Sequence, residues 1–201
     1  MARTEIGFRI SDWDTPLRPN PHRTPGRFHR AGSPPTQYIS LHPLGPWAEY
    51  LRYHGLYASE DVADRRLKVW ALRVDLDYAV EINFENCLRD FQIDPGQLVG
   101  DDHTHCQSLA DRLRSDPAEP KEIVVPSAAL PGARNLVIFG PRVEIPYLWE
   151  PLDEGDMPAC AVTEASCAPE GLLERVRFMG QPHAELEAWG EGRRYALADL
   201  T

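Results

Sequence analysis

The chain has 201 residues, a formal net charge of -10 and 42% apolar residues, which is ordinary for a soluble globular protein with one full core. The acidic balance argues against sequence-independent binding of nucleic acid, which depends on basic surface. No run has the apolar length of a membrane span and the N-terminal MARTEIGFRI lacks a signal-peptide core, so we expect a cytoplasmic protein without membrane contact.

The N-terminal part of the chain is rich in proline, because eight of the 19 prolines lie in the first 46 positions. Proline fixes φ and removes a backbone donor. This bias predicts an irregular N-terminal arm over residues 1–25.

A loop with Arg27 near its start follows the arm. Its Gly26, Gly32, Pro34 and Pro35 restrict or permit special backbone angles, and this fixes the direction of the guanidinium. A guanidinium is a rigid fork of donors that matches phosphate oxygens. Arg27 is therefore a candidate pyrophosphate clamp, and the alternative is a surface arginine in a loop.

The segment from Thr36 to Leu41 predicts a short strand that ends at the turn His42-Pro43. Tyr38 and Ser40 lie on one face of this strand. A half-buried strand tyrosine is common in folded proteins, and it is the structural alternative to a functional role for Tyr38.

A helix is predicted with Pro46 in its first turn, since proline suits that position and Trp47, Tyr50 and Leu51 have helical spacing. Glu49 lies beside this apolar stripe, on the predicted first turn. The helix dipole favours a carboxylate there, so a solvent-facing acid is the alternative to a catalytic one.

Potential metal ligands are concentrated in Asp101 to Cys106. However, His103 and His105 are two apart, which directs them differently on a helix. The flanking pattern predicts a helix with an acidic N-terminus and a buried stripe of Cys106, Leu109 and Leu113. We therefore predict no metal site, and the alternative is a metal hydrolase at His103, His105 and Cys106.

Three further strands are predicted, at Leu67 to Leu76, Glu122 to Pro126 and Asn135 to Phe139. Ser127 directly follows the second of them. The stretch from Asp75 to Arg89 has no clear period and stays unassigned.

A composition shift at Glu150 separates the tail from the core. We predict one domain over residues 1–201, in which residues 151–201 form a C-terminal extension packed on the core as a small strand pair. The alternative for the tail is a dimerisation element, which would give a homodimer.

The motif G-R-F-H-x-x-G-x-P-P-x-x-Y-x-S, followed eleven positions after the tyrosine by the glutamate of W-A-E, resembles the RES domain, a family named for an arginine, a glutamate and a serine. IVVPSAALPGARNLVIF from Ile123 to Phe139 resembles the serine segment of that family. The likeness spans Arg27 to Pro141. The three name-giving positions match Arg27, Glu49 and Ser127, the usual aromatic matches Tyr38, and His29 stands where many members have asparagine.

The resemblance implies an α+β fold like the catalytic core of ADP-ribosyltransferases, with short strands around an NAD cleft. Known members are toxins paired with an antitoxin that carries a helix-turn-helix domain, and they cleave NAD by phosphorolysis or hydrolysis. We therefore expect a toxin-type enzyme with NAD as substrate, no cofactor, inorganic phosphate as co-substrate and such an antitoxin as partner. The tail is a candidate docking element for the antitoxin.

The reaction explains why these residue types would be needed. Nicotinamide leaves as the bond to ribose breaks, and a carboxylate stabilises the positive charge that develops on the ribose, which is the expected role of Glu49. Arg27 would hold phosphate and Ser127 the nicotinamide ribose or amide. Tyr38 would contact the nicotinamide end, and His29 is a further candidate substrate contact.

Two alternatives stay open at this point. The first is a mono-ADP-ribosyltransferase that modifies a protein, which uses the same bond cleavage with another acceptor. The second is a module without catalytic activity that senses NAD or binds a protein.

Overall fold

A seven-stranded sheet lies at the centre of the computed structural model, which describes residues 3–11, 16, 23–76, 79–116, 120, 122–139 and 160–197. The order across the sheet is β4-β5-β6-β2-β1-β3-β7. Only β4 and β5 pair in parallel. The strands are β1 (Thr4–Ile10), β2 (Thr36–Ser40), β3 (Val69–Asp75), β4 (Ala79–Glu81), β5 (Glu122–Pro126), β6 (Arg134–Phe139) and β7 (Cys160–Val162).

Helices accompany this sheet in the described residues, and they confirm the predicted mixture of α and β structure. They are α1 (Gly45–His54), α2 (Ser59–Val62), α3 (Cys87–Phe91), α4 (Pro95–Val99), α5 (Thr104–Ser115) and α6 (Ala184–Gly190), with a short 3-10 helix at Leu173–Arg175. No helix in the described ranges combines the length and the apolar character that crossing a bilayer requires.

The strands predicted around the serine segment are confirmed, since β5 has the predicted bounds and β6 begins one residue earlier, at Arg134. β3 lies within the predicted range 67–76. The unassigned stretch holds β4 and α3. These two elements have three and five residues, which is too short for a period to show in the sequence.

Side chains on opposite faces of the sheet belong to different parts of the core. Residues paired across antiparallel strands point to the same side, and Tyr38 pairs with Val137 while Ser40 pairs with Asn135. Val137 packs in the cluster that contains the buried stripe of α5, which is Cys106, Leu109, Ala110 and Leu113. The predicted helix and its stripe are therefore confirmed. Tyr38, Ser40 and Asn135 share this face.

The N-terminus of the chain differs from the prediction. The expected irregular arm over residues 1–25 is wrong at Thr4–Ile10, where β1 pairs with both β2 and β3 inside the sheet. The proline cluster starts only at Pro16, so the first residues keep the donors that a strand needs. Residues 12–15 and 17–22 of the arm lie outside the described residues.

Pro46 lies in the first turn of α1 as predicted, but the position of Glu49 on this helix differs from the prediction. The helix begins at Gly45 because a turn at His42–Leu44 already provides its first backbone hydrogen bonds. Glu49 is then past the first turn, which contains no acidic residue. The first-turn assignment of Glu49 is therefore wrong, and the helix dipole does not account for this carboxylate.

The tail packs on α1 and on the loop that follows β5. Apolar side chains from all three segments form one buried cluster that includes Trp47, Leu51, Ala129, Leu130, Leu172, Val176 and Phe178. The described part of the tail has one strand, β7, which pairs with β3, and the helix α6. The expected strand pair is therefore wrong. The boundary at Glu150 lies outside the described residues, and the domain bounds stay a prediction.

The place of β1 inside the sheet leads to a test with glycine. A Cβ at Gly7 would lie 2.3 Å from Cγ2 of Ile39 and 3.2 Å from Cγ1 of Val74. We expect Gly7→Ala to lower the free energy of unfolding by about 1–3 kcal/mol through overpacking, as measured by urea denaturation. Gly96→Ala is the control, because a Cβ on this residue of α4 meets nothing within 4 Å. It should be neutral or stabilise by about 0.5–1 kcal/mol, and equal stabilities of the two variants would contradict the packing of β1.

Candidate functional site

The carboxylate of Glu49 lies between two polar side chains that approach from the sheet. Oε1 accepts a hydrogen bond from Ser127 Oγ at 3.2 Å and another from Asn135 Nδ2 at 3.0 Å. Both described hydrogen bonds to this carboxylate use the same oxygen. The arrangement fixes the orientation of the carboxylate and leaves Oε2 for a ligand.

Ser127 is fully buried at the start of the loop that joins β5 to β6. Its Oγ accepts hydrogen bonds from the backbone N–H groups of Ala129 at 3.3 Å and Leu130 at 3.1 Å. Because these groups occupy the acceptor side of the hydroxyl, its single hydrogen points to Glu49. The hydroxyl therefore orients the carboxylate.

Asn135 was not predicted as a site residue, although it lies in the sequence that resembles the serine segment. Nδ2 must be the atom on Glu49, since a carboxylate only accepts. The amide oxygen Oδ1 is buried and has no hydrogen-bond partner among the described residues. Buried polar atoms are usually satisfied, so this oxygen is a candidate acceptor for a ligand.

Tyr38 is held by its hydroxyl, which accepts from the backbone N–H of Phe28 at 2.9 Å and lies 2.7 Å from Nδ1 of His29. Nε2 of His29 is 3.0 Å from the carbonyl oxygen of Thr24. Since a carbonyl only accepts, Nε2 carries the hydrogen, and Nδ1 accepts from the hydroxyl of Tyr38. Burial raises the pKa of Tyr38, which keeps this hydroxyl protonated.

His29 supports Tyr38 from within the protein. Its side chain is only 5% exposed, and both ring nitrogens have partners in the described residues. A Cβ at Gly26 would lie 2.2 Å from the ring, so the glycine makes room for it. The geometry favours a supporting role over substrate contact, which stays a prediction.

Arg27 lies close to Tyr38 and donates from Nη1 to the carbonyl oxygen of Leu98 at 3.2 Å. His103 lies close to the same guanidinium. Burial of the His103 ring lowers its pKa to about 4, and the positive charges of Arg27 and Arg52 contribute in the same direction. His103 is therefore neutral at neutral pH.

The structure places the five predicted residues in two groups. Glu49 and Ser127 are in direct contact, together with Asn135. Arg27, His29 and Tyr38 form the second group. The two are joined through the sheet, because Tyr38 is two residues from Ser40 on β2, and Ser40 pairs with Asn135.

Polar residues that were not predicted as parts of the NAD site lie behind the first group. The guanidinium of Arg52 is 2.5 Å from Asp101 Oδ1, and that of Arg177 is 3.0 Å from the same oxygen. His183 is buried, which lowers its pKa to about 4, and its Nε2 is 3.0 Å from the carbonyl oxygen of Ser127. These residues come from distant parts of the chain, so no local pattern could find them.

Two of the potential metal ligands at the start of α5 contact other protein groups. The sulfur of Cys106 is buried and donates to the carbonyl oxygen of Gln97 at 3.5 Å, whereas His105 Nε2 is 3.1 Å from the Gln97 side-chain nitrogen. In the described part of the chain, no group of three or more histidine, cysteine, aspartate or glutamate side chains is placed to hold a metal ion.

Comparison with known proteins identifies the family. The model of the RES domain matches residues 6–153, so this chain belongs to the RES domain family, as predicted. A Mycobacterium tuberculosis protein named Probable NAD(+) phosphorylase is 32% identical over 120 residues, which cover 60% of this chain and 56% of that protein. The match thus spans little more than half the length of this relative.

A solved structure shows the fold. This is the crystal structure of the M. tuberculosis MbcT–MbcA toxin–antitoxin complex, of which one chain matches with a TM-score of 0.58 and 16% identity, covering 88% of this chain and 90% of that chain. The predicted α+β fold is thereby confirmed.

The hydroxyl of Tyr38 leads to a second test. Tyr38→Phe would leave the N–H of Phe28 and Nδ1 of His29 without this partner, so we expect the free energy of unfolding to fall by about 1–3 kcal/mol in urea denaturation. Tyr53→Phe is the control, because Tyr53 on α1 is 68% exposed. The control should change stability by no more than about 0.5 kcal/mol, and a similarly small effect of Tyr38→Phe would contradict the described hydrogen bonds.

Proposed function

We propose that this protein degrades NAD by cleaving the bond between nicotinamide and ribose, with phosphorolysis as the leading form and hydrolysis second. The observation that carries the proposal is the Glu49 carboxylate, held through Oε1 by Ser127 and Asn135. The family and the name of the M. tuberculosis relative support it.

The chemistry needs a fixed negative charge beside the ribose. Nicotinamide is already cationic in NAD and leaves as a neutral base, so the departure needs little proton donation. Positive charge then develops on the ribose, and a preorganised carboxylate stabilises it without reorganisation. Oε2 of Glu49 would face the ribose, while Oδ1 of Asn135 would accept from a ribose hydroxyl or from the carboxamide of nicotinamide.

Arg27 and Tyr38 would bind the rest of the substrate. The guanidinium of Arg27 would hold a phosphate oxygen of NAD or of inorganic phosphate. The hydroxyl of Tyr38 already has partners in Phe28 and His29, so the ring face of Tyr38 would stack on the cationic nicotinamide. His29 would fix the orientation of that ring.

The protein would also need a co-substrate and a partner that restrains it. Inorganic phosphate would be the co-substrate, as the name of the relative suggests, and no cofactor would be needed. An antitoxin with a helix-turn-helix domain would bind and restrain the protein, in keeping with the toxin–antitoxin complex that contains the structural neighbour. The protein would act in the cytoplasm.

The test combines the product of the reaction with a charge-removing variant. Purified protein is incubated with NAD, with and without inorganic phosphate. We expect NAD loss that depends on phosphate and yields free nicotinamide and ADP-ribose phosphorylated at C1 of the ribose that carried nicotinamide. Glu49→Gln keeps an oxygen that can accept from Ser127 and Asn135 but removes the charge, so we expect kcat to fall by about 100-fold or more.

Glu187→Gln is the matched control, because Glu187 is an exposed glutamate on α6, and it should keep wild-type turnover. Phosphate-independent loss of NAD would favour hydrolysis. Radiolabel from NAD that ends on protein would favour the mono-ADP-ribosyltransferase. NAD that persists under every condition, after removal of any copurifying inhibitor, would contradict the proposal and favour a binding module.

A further inference from the structure

The loop that carries Ser127 is held by a segment outside the part matched by the family model. The backbone N–H of Arg177 donates to the carbonyl oxygen of Ala129 at 2.8 Å. Nε2 of His183 lies 3.0 Å from the carbonyl oxygen of Ser127. Further along the loop, the N–H of Gly132 donates to Glu185 at 2.8 Å. The contacts come from residues 177–185, whereas the family match ends at residue 153.

The same segment also contacts the helix that carries Glu49. Arg52 lies three positions after Glu49 on α1, and its Nη1 donates to the carbonyl oxygen of Arg177 at 2.7 Å. The backbone of Arg177 therefore hydrogen-bonds on one side to the Ser127 loop and on the other to the helix of Glu49.

The side chain of Arg177 fixes this backbone in place. Its Nε donates to the carbonyl oxygen of Gln181 at 2.9 Å. Its Nη1 donates to the carbonyl oxygen of Val99 at 3.0 Å and lies 3.0 Å from Asp101 Oδ1. The other oxygen of Asp101 accepts from the N–H of Gly180 at 2.7 Å. Arg177 is 8% exposed, so its guanidinium is committed to protein groups and is not available to substrate.

We infer that Arg177 is a positioning residue, which sets the distance between the Ser127 hydroxyl and the Glu49 carboxylate by bracing both segments. This inference rests on the proposed function. The Ser127–Glu49 hydrogen bond measures 3.2 Å. This is longer than the range of about 2.5–3.0 Å that is usual between two oxygen atoms, and such bonds weaken steeply when geometry worsens. Misplacement of a catalytic group by about 1 Å can cost about 100-fold in rate.

The predicted kinetic effect is on kcat. We expect Arg177→Met to lower kcat for NAD cleavage by about 10- to 100-fold, with KM changed less than about twofold. Arg27 and Tyr38 would bind the substrate, whereas the described hydrogen bonds of the Arg177 side chain go to other groups. Arg177→Lys keeps the charge but cannot reproduce the planar fork of donors, so it should restore part of the loss. Arg193→Met is the control in the same part of the tail, since the Arg193 side chain is 65% exposed and should leave both constants unchanged.

Amide hydrogen exchange provides a readout that does not depend on activity. The N–H groups of Ala129 and Leu130 donate to Ser127 Oγ, so they should exchange faster in Arg177→Met than in Arg193→Met. The N–H groups within β5 and β6 should keep their protection. Arg177→Lys serves for both readouts where the methionine variant does not fold.

An unchanged kcat, a loss confined to KM, or faster exchange across the whole sheet would overturn the positioning role. A wild-type protein that does not consume NAD would instead overturn the proposed function, and the exchange measurement would still decide whether Arg177 holds the loop.

Discussion

The fixed carboxylate of Glu49 is the interaction on which the site depends. A charged group in a partly enclosed place needs hydrogen bonds, and Ser127 and Asn135 supply them from two neighbouring positions at the end of β5 and the start of β6. Because both bonds reach one oxygen, the carboxylate has one orientation. A residue on a helix is thereby joined to the sheet and to the loop that follows β5.

The remainder of the site keeps these groups in place. Hydrogen bonds to His29 and Phe28 hold Tyr38, and Gly26 leaves the space that the His29 ring fills. Arg177 connects the loop of Ser127 with the helix of Glu49. The groups proposed to contact NAD are thus supported by buried residues, an arrangement suited to a site whose geometry must be preorganised.

The sequence predicted the local elements well where a pattern extends over enough residues. The apolar period located α5, and the turn residues around Ser127 located β5 and β6. The strand β1 was missed because the proline cluster from Pro16 onward obscured the residues before it. The roles of Asn135, Arg177 and His183 could not be predicted, since each depends on a contact across a long sequence separation that only the folded chain creates.

The coupling between Ser127 and Glu49 in NAD cleavage tests the central claim most directly. We expect Ser127→Ala to lower kcat by about 10-fold in the wild-type background and by much less when Glu49→Gln is also present. The reason is that the serine acts through the carboxylate. The difference between the two backgrounds corresponds to a coupling energy of about 1 kcal/mol or more. An equal fold-loss in both backgrounds would show that Ser127 acts independently of Glu49, and this would contradict the account.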